Sequence, residues 1–232
     1  MRGMAERPVA VFDIDGTVFR SSLFVELQDE LVSRGVFPKE AQEAYRRERE
    51  EWLDRKGDYE TYLEKAVISF RARIKGVSYD AVAEIAGEII EAKKDRVYRY
   101  TRDLIGELKS EGYFLLAISH SPFFIAEGFG FHAGFDKVYG FFYETGPSGN
   151  FTGEVADVEL IRNKAAVLQR AVRKEGLTLA RSVGVGDTES DIPMLEMAER
   201  PIAFNPNKKL FDHAKVREWK IVVERKDVIY EM

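Results

Sequence analysis

Two carboxylates separated by one residue, Asp13 and Asp15, close a short apolar run and are followed at once by Gly16 and Thr17. A buried strand ending in Asp-x-Asp sets two acids side by side at a sheet edge, where a cation or a phosphate-handling site makes sense of them. The same residues also describe a plain strand-to-loop corner, because Asp-Gly is a common turn. Three distant fragments add chemistry to the first. Ser119 follows the apolar stretch Tyr113–Ile118, Asp187 follows Ser182–Gly186, and Lys164 falls within a helical pattern between them. The spacing predicts one helix over 158–175 with Ile161, Ala165, Leu168 and Val172 on its core face. Lys164 lies on that face, so its ammonium either snorkels out or is held by an anion. Asp191, four residues after Asp187, is placed to cap the helix containing Pro193 and to act electrostatically on Lys164.

Positioning these groups asks for strands whose ends converge. Residues 8–13, 113–118, 182–186, 201–204 and 220–224 read as strands, and helical periodicity fills the intervals near 104–112, 158–175 and 191–199. Strands alternating with helices predict a parallel α/β sheet, in which ligands gather at the carboxyl ends of the strands. Residues 137–155, with Gly146-Pro147-Ser148-Gly149 at the centre, read as a hairpin or extended excursion. Between 18 and 99 no strand signal occurs. Leu23, Leu27 and Leu31 recur at helical spacing, Lys39–Lys56 is a charge-dense solvated helix face, and further helices are expected at 60–74 and 79–93. The expected fold is therefore α/β: a Rossmann-like parallel sheet core, formed by 1–17 and 100–232, with an inserted α-helical cap domain at 18–99.

Composition bounds the function. With 232 residues, 45% hydrophobic, the chain can bury a sizeable core. It has no cysteine, which excludes disulfides and thiolate chemistry, and its three histidines (His120, His132, His213) share no metal-ligand spacing. A net charge of −5 gives no encouragement to a nucleic-acid partner, which asks for a basic face, and none is expected. No apolar run approaches the roughly 18 residues that span a bilayer, and Met1–Arg7 leads straight into a strand. No membrane partner is expected, and the cytoplasm is the expected location. Oligomeric state is not legible.

In their order along the chain, Asp13-Ile14-Asp15-Gly16-Thr17, Ile118-Ser119, Lys164 and Gly186-Asp187-Thr188-Glu189-Ser190-Asp191 resemble the motifs of the haloacid dehalogenase superfamily of phosphohydrolases. Phe204–Leu210 resembles the segment that follows the last motif in its phosphoserine-phosphatase-like branch. The resemblance implies a phosphomonoester hydrolase acting on a small phosphorylated metabolite, with Asp13 as nucleophile forming an aspartyl-phosphate. It implies Asp15 as acid and base, with a pKa raised by its like-charged neighbour. Mg²⁺ would be held by the Asp13 and Asp187 carboxylates and the Asp15 carbonyl, and phosphate by Ser119, Lys164 and the N–H groups of Ile14 and His120. Thr17 is expected to hydrogen-bond within its loop, and the His120 side chain to serve the loop rather than act as a base.

Phosphoserine phosphatases recognise serine with a glutamate shortly after the first motif and an arginine in the cap. Here Ser22 stands at the glutamate position, and Arg73, in Ser69–Ile74, matches the arginine. Phosphoserine is thus possible but not favoured. Phe24, Tyr45, Trp52, Tyr62 and Phe70 either pack between cap helices or line a pocket. A phosphotransferase or phosphomutase shares every core residue and remains open. A dehalogenase would not need Asp15, and a non-catalytic module would not need to keep both acids.

Overall fold

The computed structural model describes residues 6–232; Met1–Ala5, part of the lead-in read from the sequence, lie outside the described residues. Eight strands form one sheet: β1 (Arg7–Phe12), β2 (Phe114–Pro122), β3 (Lys137–Thr145), β4 (Phe151–Ala156), β5 (Leu177–Gly186), β6 (Arg200–Phe204), β7 (Lys220–Arg225) and β8 (Val228–Glu231), in the order β4-β3-β2-β1-β5-β6-β7-β8. The six inner strands are parallel, while β4 and β8 close the edges antiparallel. This is the α/β class expected, and the 137–155 excursion is the β3–β4 hairpin.

Both faces of the sheet are covered, which is why its strands read as unbroken apolar runs. Successive residues of β1 go to opposite layers: Ala10 and Phe12 join one hydrophobic cluster, Val9 and Val11 the other. β2 does the same with Leu115 and Ala117 against Leu116 and Ile118. The first layer holds α6 (Arg99–Ser110) and α7 (Phe123–His132). The same cluster continues into the helical segment formed by α1 (Leu23–Ser33), α2 (Glu40–Glu43), α3 (Arg46–Leu53), α4 (Tyr59–Ile74) and α5 (Tyr79–Lys93). The second layer holds α8 (Val158–Arg162), α9 (Lys164–Glu175), α10 (Ile192–Leu195) and α11 (Lys208–Val216).

The chain enters and leaves the helical segment side by side. Phe19 bridges to Val97, Arg20 N–H donates to the Arg96 carbonyl (2.9 Å), and Tyr98 N–H donates to the Val18 carbonyl (3.0 Å). Among the aromatic residues of α1, α3 and α4, packing prevails: Phe70 is fully buried and meets Phe24 and Phe37 edge-on at 5.4 and 5.5 Å, and Tyr45 lies 5.7 Å from Tyr62. α3 buries no residue, as the charge-dense stretch predicted.

Several elements differ from the sequence reading. The helix expected over 158–175 is broken at Asn163, whose side-chain oxygen accepts from Ala166 N–H (3.1 Å) and caps a new helix. Its buried face is Lys164, Val167, Leu168 and Ala171, so Ala165 and Val172 stand one position off the core stripe assigned to them. The helix expected over 191–199 is one short turn behind a 3₁₀ turn at Glu189–Asp191. α7 was not foreseen, because Gly128 and Gly130 weaken its helical pattern. Both are packing residues: a Cβ at Gly130 would stand 2.5 Å from Val138 Cγ2, and one at Gly128 2.7 Å from Ile90 Cδ1.

Candidate active site

Asp13 leaves the end of β1 with its N–H donating to the Val185 carbonyl of β5 (2.9 Å), which fixes the strand end against the segment carrying Asp187. The loop then folds on the Ile14 carbonyl, which accepts from the N–H groups of Thr17, Val18 and Phe19 at 2.9–3.3 Å. Gly16 has φ +83°, and a Cβ there would come within 2.2 Å of Asp187 Oδ2, so only glycine lets the two loops approach. Thr17, expected to bond within its own loop, donates instead to Asp187 Oδ1 (3.2 Å).

Lys164 is the cation at the centre. It is the first residue of α9, where the helix dipole disfavours positive charge, and it is 2% exposed. Two carboxylates override that cost: its Nζ donates to Asp13 Oδ1 (2.6 Å) and Asp191 Oδ1 (2.5 Å). Burial alone would lower the Lys164 pKa; Asp13 and Asp191 reverse this and hold it above the usual lysine range. Asp191 Oδ2 accepts from the N–H groups of Asp187 and Thr188 (2.9 and 3.0 Å), so it ties back the loop before it rather than capping the helix after it.

Asp13, Asp187 and Asp191 place a carboxylate oxygen each within 4.8 Å of one another. Burial, and then the neighbouring negative charges against Lys164, push Asp13 up to about 7 and Asp187 well above the usual carboxylate range. Asp13 Oδ2 is buried without a hydrogen-bond partner. One lysine thus faces four carboxyl groups, an arrangement a divalent cation would complete. Both Asp191 oxygens are already engaged. Of the Asp13 and Asp187 oxygens, Oδ1 is engaged in each case, by Lys164 and by Thr17, which leaves the two Oδ2 atoms without a hydrogen bond.

Asp15 is held by three donors. Leu23 N–H gives to Oδ1 (2.5 Å), and the Ser119 and Ser121 hydroxyls give to Oδ2 (2.6 and 2.9 Å). Its pKa is raised, with burial as the main cause and those three bonds opposing; the like-charge argument from sequence is not what lifts it. Ser119 lies inside β2 rather than past its end. The strand runs on to Pro122 through a bulge, in which Ile118 to Pro122 spans only Tyr139 to Phe141 of β3. The bulge brings Ser119 and Ser121 together on one carboxylate. Ser121 was missed, although Ser-x-Ser spacing on a strand puts two hydroxyls on one face.

His120 is kept neutral: burial first, then the Lys164 charge, push it down to about 4. Its ring tilts against Phe141 (5.6 Å) and its Nε2 has no partner. Ser22 is the N-cap of α1, accepting from Val25 N–H (3.4 Å). The Arg73 guanidinium donates to the carbonyl and hydroxyl of Ser69 (3.1 and 3.0 Å) and the carbonyl of Glu40 (3.3 Å), tying α4 to α2. Glu189, given no role from sequence, pairs with Asn207 and Lys209 beyond β6.

A family model described as haloacid dehalogenase-like hydrolase matches residues 10–196. The chain is 28% identical over 217 residues to the inhibition of morphological differentiation protein of Streptomyces azureus, covering 93% of this chain and 78% of that one. It is 26% identical over 212 residues to a phosphoserine phosphatase of Archaeoglobus fulgidus, covering 90% and 56%. Among solved structures, a phospho-aspartyl intermediate analogue of phosphoserine phosphatase superposes with a TM-score of 0.63 at 24% identity over 96% of this chain and 95% of that one, a likeness of fold.

Proposed function

The chain belongs to the haloacid dehalogenase-like hydrolase family, and we propose that it is a Mg²⁺-dependent phosphomonoester hydrolase working through an aspartyl-phosphate on Asp13. One observation carries the reading: a buried lysine holds one oxygen of Asp13 while the other stands free among a surplus of carboxylates. Phosphatase-named relatives support the reaction class, and a small phosphorylated substrate fits it.

In this reaction the Asp13 carboxylate attacks phosphorus and the ester P–O bond breaks. Asp15, its pKa raised, gives its proton to the leaving oxygen and then takes one from the water that hydrolyses the acyl-phosphate. To reach the ester, the Asp15 carboxyl exchanges its bond with Ser119 for the leaving oxygen. The freed Ser119 hydroxyl then donates to the phosphoryl group, alongside Lys164 and the N–H groups of Ile14 and His120. Asp191 acts through Lys164 and the Asp187 loop. Mg²⁺, held by Asp13, Asp187 and the Asp15 carbonyl, would supply the positive charge that lets an anionic substrate enter beside carboxylates. Residues 18–99 serve as a cap that excludes water and selects the leaving group.

The test is phosphate release from a panel of phosphomonoesters with Mg²⁺ and with excess chelator, for the wild type and Asp13→Asn. Metal-dependent release that the substitution abolishes is the expected result. Release that survives Asp13→Asn refutes the nucleophile, and phosphate appearing on an added alcohol rather than in solution makes the chain a phosphotransferase.

A further inference from the structure

Ser121 is buried and makes three hydrogen bonds at the centre of the site. Its hydroxyl donates to Asp15 Oδ2 (2.9 Å), its Oγ accepts from the Phe24 N–H of α1 (3.1 Å), and its own N–H donates to Ser119 Oγ (2.9 Å). The Phe24 N–H is among those that the first turn of a helix leaves without an internal partner. Its neighbours are met in the same way, Leu23 N–H by Asp15 Oδ1 (2.5 Å) and Val25 N–H by Ser22 Oγ (3.4 Å). α1 therefore sets which way the Ser121 hydroxyl turns. With Phe24 on its acceptor side, its proton goes to Asp15.

The last torsion of an aspartate is broad and two-fold, so the plane of the carboxyl is set by what it bonds. Three donors hold Asp15 at rest, Leu23 on Oδ1 and the two serines on Oδ2. In the proposed reaction Ser119 leaves for the phosphoryl group. Were Ser119 the sole donor to Oδ2, the carboxyl would then hang on the Leu23 bond and swing about it. Ser121 stays behind instead. One donor remains on each oxygen, the plane is kept, and the direction on Oδ2 that Ser119 vacates is left to the ester oxygen. The bulge between Ile118 and Pro122 makes this possible by bringing both hydroxyls to the same atom.

We propose that Ser121 is a positioning residue for the proton donor, holding the Asp15 carboxyl toward the leaving oxygen once Ser119 has turned to the phosphoryl group. This rests on the phosphatase reading above. The consequence depends on the leaving group. An alcohol that would depart as an alkoxide needs a proton in the transition state, whereas a nitrophenol leaves as a stabilised anion without one.

The experiment is steady-state kinetics with Mg²⁺ on ethyl phosphate and p-nitrophenyl phosphate, for the wild type and Ser121→Ala, with folding checked by circular dichroism. The ratio of kcat/KM for ethyl phosphate to that for p-nitrophenyl phosphate should fall about tenfold or more in the variant. Ser121→Cys keeps a group of similar shape but offers only a weak donor. The ratio should fall there too, and this variant takes the place of Ser121→Ala if alanine prevents folding. A role confined to docking α1 on β2 would lower both esters together. An unchanged ratio in a folded variant therefore overturns this inference while leaving the phosphatase standing. Release from neither ester by the wild type overturns both.

Discussion

Asp191→Asn tests whether the Lys164 cluster is an electrostatic unit. Asp191 is fully buried and accepts from three donors: Lys164 on one oxygen, the Asp187 and Thr188 amides on the other. Asparagine keeps the shape but has one acceptor oxygen. If that oxygen stays on the two amides, the NH₂ group faces the ammonium and a charge-assisted bond of about 1.5–3 kcal/mol is lost, with a donor set against a donor. If it turns to Lys164, two buried N–H groups lose their partner at about 1–3 kcal/mol each. The first arrangement is cheaper, and removing one of four crowded carboxylates returns part of the loss. The net cost is about 2–3 kcal/mol, which for a chain of this size is a fall of about 4–12 °C in Tm. Scanning calorimetry at low and high salt reads it. Because the pair is dry, the fall should not shrink at high ionic strength. Lys208→Ala, which breaks the exposed pair with Asp212, should cost about 1 kcal/mol or less. A fall below about 2 °C for Asp191→Asn, or one that disappears in salt, refutes the argument.

Gly16→Ala combines a φ of +83° with a Cβ 2.2 Å from Asp187 Oδ2. It should displace that carboxylate and reduce phosphate release about 100-fold or more with the circular dichroism spectrum unchanged; activity within a factor of three would contradict the contact. Phe70→Ala removes a fully buried ring packed on Phe24, Phe37 and Tyr143, and should cost about 3–5 kcal/mol by urea denaturation. Glu60, partly buried and facing Glu189, is pushed up to about 7, burial being the main cause. Its proton is thus held more tightly folded than unfolded, so its contribution to stability falls as pH rises from about 4.5 to 7. Glu60→Gln, read as the Tm difference between pH 5 and pH 7, should flatten that decline, and an identical decline in the variant would exclude Glu60 as its source.

The acids, Ser119 and Lys164 were legible because each sits beside a strong local pattern, an apolar strand or a helical stripe. Their meeting at one sheet edge follows from parallel strands ending on the same side. What was not legible depends on contacts between elements. The break at Asn163 is a side-chain cap that competes with an unbroken 3.6-residue pattern. The glycines of α7 look like helix breakers until Val138 and Ile90 are placed against them. Arg73 matches the cap arginine in sequence, but its partners, the Ser69 and Glu40 carbonyls, are backbone acceptors, which leave no mark there.

The paired strands of chain at Val18–Arg20 and Arg96–Tyr98 have a consequence for how such a protein changes over evolutionary time. Entry and exit lie within one hydrogen bond of each other, and a second tie joins the α4–α5 turn to the β3–β4 hairpin, where Gly76 N–H donates to the Phe151 carbonyl (2.8 Å) and Tyr79 N–H to the Gly149 carbonyl (3.0 Å), so the length of chain between these ties makes little demand on the sheet. Replacement of the helices beyond α1 by ones of another size would leave the sheet register and the converging loop ends undisturbed, because α1 keeps the Leu23 N–H on Asp15 and the Phe24 N–H on Ser121. A lineage can therefore exchange those helices while inheriting the carboxylate cluster intact.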